Sequence, residues 1–445
     1  MRAFFVFFYK KERTVMLDMG WIRENAELVR QTAKWKKVDF PLGELLEWDD
    51  RRRERRRETE DLRTRRNALT KEVESLLRQG KLAEGEAAKE QVREIGGRLA
   101  DLEPRLAEAE TKCRELMLLA PNPVSKDTPI GESDKDNVEV RRFGELPAFG
   151  FEPRDHVELG ELHDIIDIPR GVKAGGPRSY TLKGTGVYLH LAVQRLALDV
   201  LTARGFTVMD VPAIVRPETL ERTGFFPSGM DQTYELSGEN RWLAGTSEVP
   251  LVSLYSDEIV DLTEPMRLAG ISPCFRREVG SAGRDVRGLY RVHQFSKIEQ
   301  VVLCENDPEV SERMLQEILA NAEHILQLLE LPYRVVAVCT GDMSLKTHKQ
   351  YDIETWMPGR SAYGETHSAS NLLDFQARRS NIRYRDAGGR ARYCHTLNNT
   401  AAATPRILIP LLENHQREDG SIYIPQALRK YMDGREVIPA PQTAL

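Results

Sequence analysis

The clearest pattern of apolar and polar positions lies in the first quarter of the chain. Apolar residues recur at alternating intervals of four and three over residues 88–116, and a second stripe covers residues 62–76. This spacing is the heptad pattern of a coiled coil. Gly80 and Gly85 lie between the stripes and predict a turn, so we expect two long helices that fold back as an antiparallel hairpin. Pro104 interrupts the second stripe and predicts a local kink.

The chain from about residue 144 onward mixes helical and strand-like patterns. Helical spacing predicts helices over 187–200 and 310–331, and one short helix over 17–40 before the hairpin. Because helices and strands do not alternate strictly as βαβ units, we predict an α+β domain on a largely antiparallel sheet. The runs that predict strands are 206–215, 268–275, 293–303, 333–339 and 391–396.

Changes in composition divide the chain into four predicted segments. Residues 120–143 are rich in Pro, Asp and Ser, which is typical of a linker. Met16 offers an alternative start. We therefore expect an extension of uncertain status at 1–15, a helical domain with the coiled-coil arm at 16–119, a linker at 120–143 and a mixed domain at 144–445.

Overall composition excludes several classes of protein. Hydrophobic residues make up 40% of the chain and charged residues 30%, with no apolar run long enough to span a bilayer, so we expect no membrane association. The five cysteines contain no C-x-x-C pair, and the nine histidines contain no H-E-x-x-H motif, which argues against a disulfide framework and a transition-metal centre. A reducing, cytosolic compartment fits this usage. P-loop and Rossmann fingerprints are also missing.

The net charge of −5 hides a strongly basic stretch at residues 51–66, where nine arginines stand against four acidic residues. Two interpretations are open. The stretch could be the solvated face of the coiled coil, or it could follow a phosphate backbone, where basic side chains release counterions.

A second candidate for phosphate binding is the stretch at residues 275–299, FRREVGSAGRDVRGLYRVHQFSKIE. Two strand-like runs flank a loop rich in Arg and Gly. Planar guanidinium groups and flexible backbone suit phosphate oxygens, although the same composition also occurs in solvated turns.

Five segments, in order, resemble the class II aminoacyl-tRNA synthetases in their seryl form. Residues 275–299 closely resemble motif 2, and residues 397–420 resemble motif 3. Pro212 stands where motif 1 places a proline at a dimer interface. Residues 245–248 are similar to the family's serine-binding T-x-E loop, and residues 364–384 to its metal and nucleotide segment. The resemblance covers nearly the whole chain, including the helical hairpin.

The resemblance implies a fold, an activity and partners. The fold would be a class II antiparallel sheet of six strands flanked by helices, in a cytoplasmic homodimer. The activity would be that of an ATP-dependent serine–tRNA ligase, which forms seryl-adenylate from L-serine and ATP and then charges tRNA(Ser), with a selenocysteine tRNA as a further candidate. The hairpin would reach the long variable arm of the tRNA, so the phosphate-binding interpretation gains weight. The arginines expected to contact tRNA are Arg51, Arg52, Arg55, Arg56, Arg63 and Arg66.

The resemblance also implies the nucleotide-binding residues. Arg276, which would hold the α-phosphate and the serine carboxylate, and Arg406 of the motif 3 helix, which would hold the γ-phosphate, are the implied catalytic residues. Glu278 would accept a hydrogen bond from the adenine amine, and Phe295 would stack on the ring. Glu365 and Ser368 would supply oxygen ligands to Mg²⁺. The full ATP set is Arg276, Arg277, Glu278, Val292, Phe295, Glu365, Thr366, His367, Ser368 and Arg406.

The implied serine pocket is small and polar. Glu248 and the Thr246 loop would bind the ammonium, and Glu299 and Thr400 the hydroxyl, so that alanine would leave buried partners unpaired. Each carboxylate could alternatively be a structural ion-pair partner. The full serine set is Thr246, Ser247, Glu248, Arg276, Glu299, Asn398 and Thr400.

Three departures from the family pattern leave other functions open. Ser247 stands where alanine is usual, His367 where a small residue is usual beside the metal ligands, and Pro104 lies in the arm. His367 could narrow the site, bind a phosphate or point away. The alternatives are a paralogous serine-activating enzyme of a biosynthetic or resistance pathway, an enzyme that loads a carrier protein, and a non-catalytic tRNA-binding descendant.

Overall fold

The computed structural model describes residues 18–280 and 287–440. The chain divides into two compact units between residues 121 and 122. The predicted extension at 1–15 and residues 281–286 of the Arg-rich loop lie outside the described residues.

The first unit consists of helices. The prediction of one helix over 17–40 is wrong, because Asn25 ends one short helix and precedes the next, and its side-chain Nδ2 donates to the Trp21 carbonyl, 2.9 Å away. The predicted pair of long helices is confirmed. The bounds are α1 Met19–Glu24, α2 Ala26–Trp35, α3 Leu42–Arg78 and α4 Leu82–Met117.

The long helices α3 and α4 form the predicted antiparallel hairpin around a core of Leu62, Ile95 and Leu99. Gly80 occupies the turn with a φ of +76°, which favours glycine. Gly85 is not part of the turn as we predicted. It lies in the first turns of α4, where a β-carbon would be 3.1 Å from the Leu77 side chain.

The second unit is a mixed α/β domain. Its helices are α5 His156–Leu162, α6 Ile168–Gly175, α7 Thr185–Ala203, α8 Pro217–Arg222, α9 Glu248–Ser253, α10 Pro308–Leu328, α11 Phe375–Ser380, α12 Leu408–Asn414 and α13 Gln426–Arg429. Its strands are β1 Val138–Phe143, β2 Ile166–Asp167, β3 Thr181–Leu182, β4 Thr207–Asp210, β5 Ile214–Val215, β6 Tyr234–Leu236, β7 Arg241–Leu243, β8 Ile259–Val260, β9 Met266–Phe275, β10 Gln294–Cys304, β11 Tyr333–Ala337, β12 Lys349–Met357, β13 Ala362–Asn371, β14 Arg383–Arg385, β15 Ala391–Tyr393, β16 His395–Thr404, β17 Ile422–Tyr423 and β18 Val437–Ile438.

The main sheet of this unit has eight strands in the order β1-β11-β12-β13-β16-β10-β9-β4. All neighbours are antiparallel except β4 and β9. The largely antiparallel α+β class is therefore confirmed, but the expected number of six strands is wrong. The edge strand β1 lies in the range that we predicted as a linker. All six of its residues are exposed, so it lacks the alternation of buried and exposed positions that indicates a strand.

Two long helices cover one face of the sheet. Apolar residues of α7 and α10, such as Val193 and Ile318, form one buried cluster with Ile298 and Val302 of β10. The opposite face carries a second buried apolar cluster, which includes Leu251, Val301 and Leu303, and polar side chains occupy the rest of β10 on that face. None of the helices in residues 18–280 and 287–440 combines the length and the apolar character that a membrane span requires.

Candidate active site

Most residues that the resemblance assigns to ATP or serine line one cavity of about 350 Å³. Thirteen of the sixteen lie there, contributed by β10, β13, β16, the segments around residues 246 and 276, the loop before β10 and the turn after β16. The thirteen are Thr246, Glu248, Arg276, Glu278, Val292, Phe295, Glu299, Glu365, Thr366, Ser368, Asn398, Thr400 and Arg406.

Strand β10 shows why these side chains meet. Successive side chains on a strand point to opposite faces. Phe295 and Glu299 line the cavity, whereas the Gln300 side chain donates from Nε2 to the Ile318 carbonyl of α10, 3.0 Å away. The cavity therefore lies on the face of the sheet opposite α10.

Two guanidinium groups border the cavity. The Arg276 guanidinium lies 5.1 Å from the centroid of the Phe295 ring, and its Nε donates to the Gly245 carbonyl at 3.4 Å. Arg406 donates from Nε to the Tyr290 carbonyl at 3.1 Å and from Nη1 to the Glu365 carbonyl at 3.2 Å. Arg406 lies in the turn before α12, not in the helix as we expected. Hydrogen bonds to backbone carbonyls therefore fix the positive charges of Arg276 and Arg406 at the border of the cavity.

Glu248 carries a dense set of contacts at the other end of the cavity. Its Oε1 accepts hydrogen bonds from Lys346 Nζ at 2.6 Å, Gln376 Nε2 at 2.7 Å and Asn398 Nδ2 at 3.1 Å. The side chain is only 6% exposed. Three donors to one buried carboxylate oxygen hold the Glu248 side chain in a fixed orientation.

Glu299 forms a second buried ion pair, with Lys297. The two side chains are 3% and 6% exposed and lie on the same face of β10. Burial raises the pKa of Glu299, and the charge of Lys297 opposes that rise. Two carboxylates and two ammonium groups therefore balance each other where the resemblance places serine.

Two β-bulges shape the middle of the site. Glu365 and Ser368 are separated by three positions, so in a regular strand their side chains would point to opposite faces. The register between β12 and β13 shifts at Thr366, which brings both to the cavity. The register between β10 and β16 shifts at Ala401. This second bulge brings both Thr400 and Ala403, three positions apart, to the cavity.

His367 points away from the cavity and connects the two bulges. Its Nε2 donates to the Ala401 carbonyl at 3.2 Å, and its Nδ1 lies 2.9 Å from Thr366 Oγ1. The residue is 1% exposed, and burial lowers its pKa to about 4, so the ring is neutral. The assignment of His367 to ATP is therefore not supported by its position. Of the three possibilities that we considered, the structure has the side chain pointing away.

Two other predicted residues also lie outside the cavity. The buried Ser247 donates from Oγ to the Gly270 carbonyl at 3.3 Å, and a β-carbon at Gly270 would clash with it. Arg277 does not line the cavity, and its backbone N–H donates to the Gln232 carbonyl at 2.9 Å. Neither side chain is placed to contact a ligand in the cavity.

Oxygen ligands for a hard cation lie together beside the bulge. Gln350 Nε2 donates to Asp352 Oδ1 at 2.9 Å and to Ser368 Oγ at 3.0 Å, and so connects the two residues. Burial, and next the charge of Glu365, raise the pKa of Asp352 well above its usual range. Within residues 18–280 and 287–440, no group of three His, Cys, Asp or Glu side chains is arranged to hold a metal ion. All five cysteines are buried free thiols.

Most of the arginines predicted to contact tRNA are engaged within the arm itself. Arg52 pairs with Asp49, Arg56 with Glu110 and Arg63 with Glu103, and Arg55 donates to the Arg105 carbonyl at 2.7 Å. Arg51 lies 4.8 Å over the Trp48 ring. The pairs of Arg56 and Arg63 are partly exposed and therefore weak, so they do not prevent phosphate contacts, whereas the partner of Arg52 is the buried Asp49.

Several polar residues of the site were not predicted from the sequence pattern or the resemblance. Lys297 could have been found, because it stands between Phe295 and Glu299 on the same face of one strand. Lys346, Gln350 and Gln376 gave no such signal, since their positions depend on loops and strands that come together only in the fold.

Known proteins share both the sequence and the fold. Residues 233–415 match the model of the tRNA synthetase class II core domain (G, H, P, S and T), and residues 16–124 that of the seryl-tRNA synthetase N-terminal domain. The serine–tRNA ligase of Deinococcus radiodurans is 47% identical over 96% of this chain and its own full length. That of Rubrobacter xylanophilus is 46% identical over 95% of this chain and 99% of its own.

Solved structures of two proteins share the fold of this chain over nearly its full length. The seryl-tRNA synthetase from Pyrococcus horikoshii, complexed with ATP, superimposes with a TM-score of 0.88 at 37% identity, over 96% of this chain and 100% of that one. The cytoplasmic serine-tRNA ligase from Naegleria fowleri in complex with AMP gives 0.84 at 28% identity, over 96% and 100%.

Proposed function

Because this chain belongs to the seryl-tRNA synthetase family, we propose that it activates L-serine with ATP and transfers the seryl group to tRNA(Ser). One observation carries the assignment of the site. Thirteen of the sixteen residues expected to bind ATP or serine line the same cavity, and Arg276 is expected to touch both ligands. Two substrates held side by side react with a large gain in effective concentration.

The first reaction needs charge neutralisation and alignment rather than a general base. The serine carboxylate is already ionised at neutral pH, attacks the α-phosphorus of ATP and displaces pyrophosphate. We assign Arg276 to the α-phosphate and the serine carboxylate, and Arg406 to the γ-phosphate. Both guanidinium groups are held by backbone carbonyls, so little reorganisation is needed as charge develops. Phe295 would stack on adenine, and Glu278 would accept from its amine. In the second reaction, a terminal hydroxyl of the tRNA attacks the seryl carbonyl and AMP leaves.

The selection of serine is assigned to the polar end of the cavity. Glu248, positioned by Gln376 and Asn398, would bind the substrate ammonium together with the Thr246 loop. Glu299 and Thr400 would bind the hydroxyl. Alanine would leave the buried Glu299 without that partner, and threonine would be excluded by size.

The donor set beside the bulge suits Mg²⁺. Glu365 offers a carboxylate and Ser368 a hydroxyl, both hard oxygen ligands, and few protein ligands are typical where phosphates complete the coordination. When bound, the ion would neutralise charge on the triphosphate. Gln350 keeps Ser368 Oγ in a fixed orientation through its 3.0 Å hydrogen bond.

Each of the two units has a proposed partner. We assign the hairpin within residues 16–119 to the tRNA and residues 144–445 to catalysis, with a selenocysteine tRNA as a further candidate.

A homodimer is supported by apolar exposure on α7, where Tyr188 and Leu191 are 54% and 53% exposed. A cytoplasmic location agrees with the five free, buried thiols.

Exchange of labelled pyrophosphate into ATP in the presence of each amino acid tests the activity directly. We expect exchange that depends on serine, and aminoacylation of tRNA(Ser) by the same preparation. No serine-dependent exchange would support a non-catalytic descendant. Exchange without tRNA charging would support an enzyme that serves a different acceptor.

A further inference from the structure

Lys346 is a buried cation that directly contacts the carboxylate assigned to the substrate ammonium. It lies in the segment between β11 and β12, with its Nζ 2.6 Å from Glu248 Oε1 and 3.9 Å from the centroid of the Phe225 ring. Its side chain is 12% exposed and lines the cavity. A carboxylate on one side and an aromatic face on the other form an environment that binds ammonium groups.

The charges around Lys346 are already balanced before a substrate arrives. Glu248 and Glu299 carry the negative charges that act on it, and Lys297 adds a second positive charge. Burial lowers the pKa of Lys346, and Glu248 opposes that shift. A substrate ammonium that enters this region meets a carboxylate whose charge is already compensated.

The contacts of Glu248 Oε1 show which donor can yield. Gln376 is fixed at both ends of its amide, because its Nε2 also donates to the Thr223 carbonyl at 3.0 Å and its Oε1 accepts from Thr396 at 2.8 Å. Asn398 is part of the central strand β16. Lys346 reaches Oε1 through a long, flexible side chain.

The backbone of Lys346, by contrast, is held in place. Its carbonyl accepts from Asn122 Nδ2 at 2.9 Å, and the neighbouring Leu345 carbonyl accepts from the Asn122 backbone N–H at 2.9 Å. Only the side chain can therefore withdraw.

We propose that the Lys346 ammonium occupies the substrate-ammonium position at Glu248 in the empty site and competes with serine for it. This inference rests on the proposed function. Lys346 then lowers the preference of the site for substrates that carry an ammonium group. It keeps Glu248 paired when no substrate is present, and it weakens serine binding because serine must displace or repel an ammonium that is already bound.

The test compares Lys346→Met with wild type, using serine and 3-hydroxypropanoate, which is serine without its amino group. In the variant, the serine ammonium binds Glu248 without competition from Lys346. 3-hydroxypropanoate has no ammonium, so its affinity should not increase. We expect the ratio of the two affinities to rise about tenfold or more, a factor that corresponds to about 1.4 kcal/mol of binding free energy. KM for serine in pyrophosphate exchange should fall, and KM for ATP should not change. The affinity for 3-hydroxypropanoate is measured as inhibition of the same exchange.

Two further variants make the outcome specific. Lys349→Met is the matched control, because it removes a lysine of the adjoining strand that pairs with Asp127 and Glu312 and does not line the cavity. It should leave both affinities at the wild-type level. If Lys346→Met does not fold, Lys346→Gln removes the same charge and carries the same expectation.

An unchanged or smaller affinity ratio in either Lys346 variant would overturn the proposal. A higher KM for serine would do so as well, since it would mean that Lys346 assists the substrate. Absence of serine-dependent exchange by the wild-type protein would instead contradict the proposed function, so the two failures are distinguishable.

Discussion

Substitution of Lys297 by methionine provides a quantitative test of how the serine pocket works. Lys297 and Glu299 form a buried ion pair on one face of β10, 6% and 3% exposed. Methionine keeps the apolar stem of lysine and removes the ammonium. The variant therefore changes the charge next to Glu299 and little of the packing.

The expected magnitude follows from the cost of an unpaired buried charge. Removing one partner of a buried pair costs about 3–5 kcal/mol if the other stays ionised. Glu299 can avoid that cost by taking up a proton, because burial already raises its pKa and Lys297 is the main group that opposes the rise. A protonated Glu299 no longer offers an anionic acceptor to the serine hydroxyl. We expect kcat/KM for serine to fall about 100-fold near neutral pH, or about 2.7 kcal/mol.

The sign of the pH dependence makes the test sharper. Raising the pH ionises Glu299 in the variant, so the loss in kcat/KM for serine should shrink as pH rises. The free energy of unfolding of the variant should fall over the same rise in pH, whereas kcat/KM for serine rises. A carboxyl group whose folded pKa is raised keeps its proton in the folded state while the unfolded state releases it, so stability falls as pH rises between the two pKa values.

The assay is serine-dependent pyrophosphate exchange over roughly pH 6 to 9, with chemical denaturation over the same range. Lys297→Arg retains a cation and should keep the wild-type profile. Glu299→Gln added to Lys297→Met should abolish the new pH dependence, because the carboxyl group that causes it is no longer present. A Lys297→Met protein whose pH profile matches wild type would refute the role of Lys297 in keeping Glu299 ionised.

Three further predictions test other parts of the structure. Arg276→Ala should remove about 3–4 kcal/mol of transition-state stabilisation, which is measured as a lower kcat/KM in pyrophosphate exchange. A near-normal kcat/KM would contradict the role assigned to Arg276. His367→Ala should lower the free energy of unfolding by about 2–4 kcal/mol, because it leaves a cavity and removes the hydrogen bond to the Ala401 carbonyl. In that variant, a KM for ATP well above the wild-type value would show that His367 does contact the nucleotide. Replacing residues 51–116 by a short Gly-rich turn should abolish tRNA charging and preserve exchange, and equal loss of both would contradict the assignment of the hairpin to tRNA.

The parts of the fold that the sequence predicted are those with a strong local signal. The hairpin of α3 and α4 has a long heptad pattern, and α7, α10, β9 and β10 have clear apolar spacing. The edge strand β1 was missed because all its residues are exposed, and residues 17–40 were assigned one helix because apolar spacing does not reveal the break at Asn25. Local patterns therefore predicted several elements with a buried face, but they missed the central strands β12 and β13 and failed at element boundaries.

The ligands of the site were predicted by resemblance, but their supporting residues were not. Glu248 was assigned to the substrate from its T-x-E loop, whereas Lys346 and Gln376, which contact the same oxygen, are 98 and 128 positions away in the chain. No periodicity connects residues so far apart. Their role depends on the tertiary fold, which brings α9, α11 and the segment before β12 to one carboxylate.

The bulges show why spacing along the chain could not have placed the metal and nucleotide residues by itself. Glu365 and Ser368 lie an odd number of positions apart, so a regular strand would bury one of them against α10. The extra residue in β13 reverses the face of every side chain on one side of it, and it leaves Glu365 and Ser368 toward the cavity with His367 on the opposite face. Ala401 is the extra residue of the second bulge, and His367 donates to its carbonyl. A small residue at position 367 could not make this contact. The departure from the family pattern that suggested a ligand-binding histidine is therefore better explained by the pairing of two irregular strands.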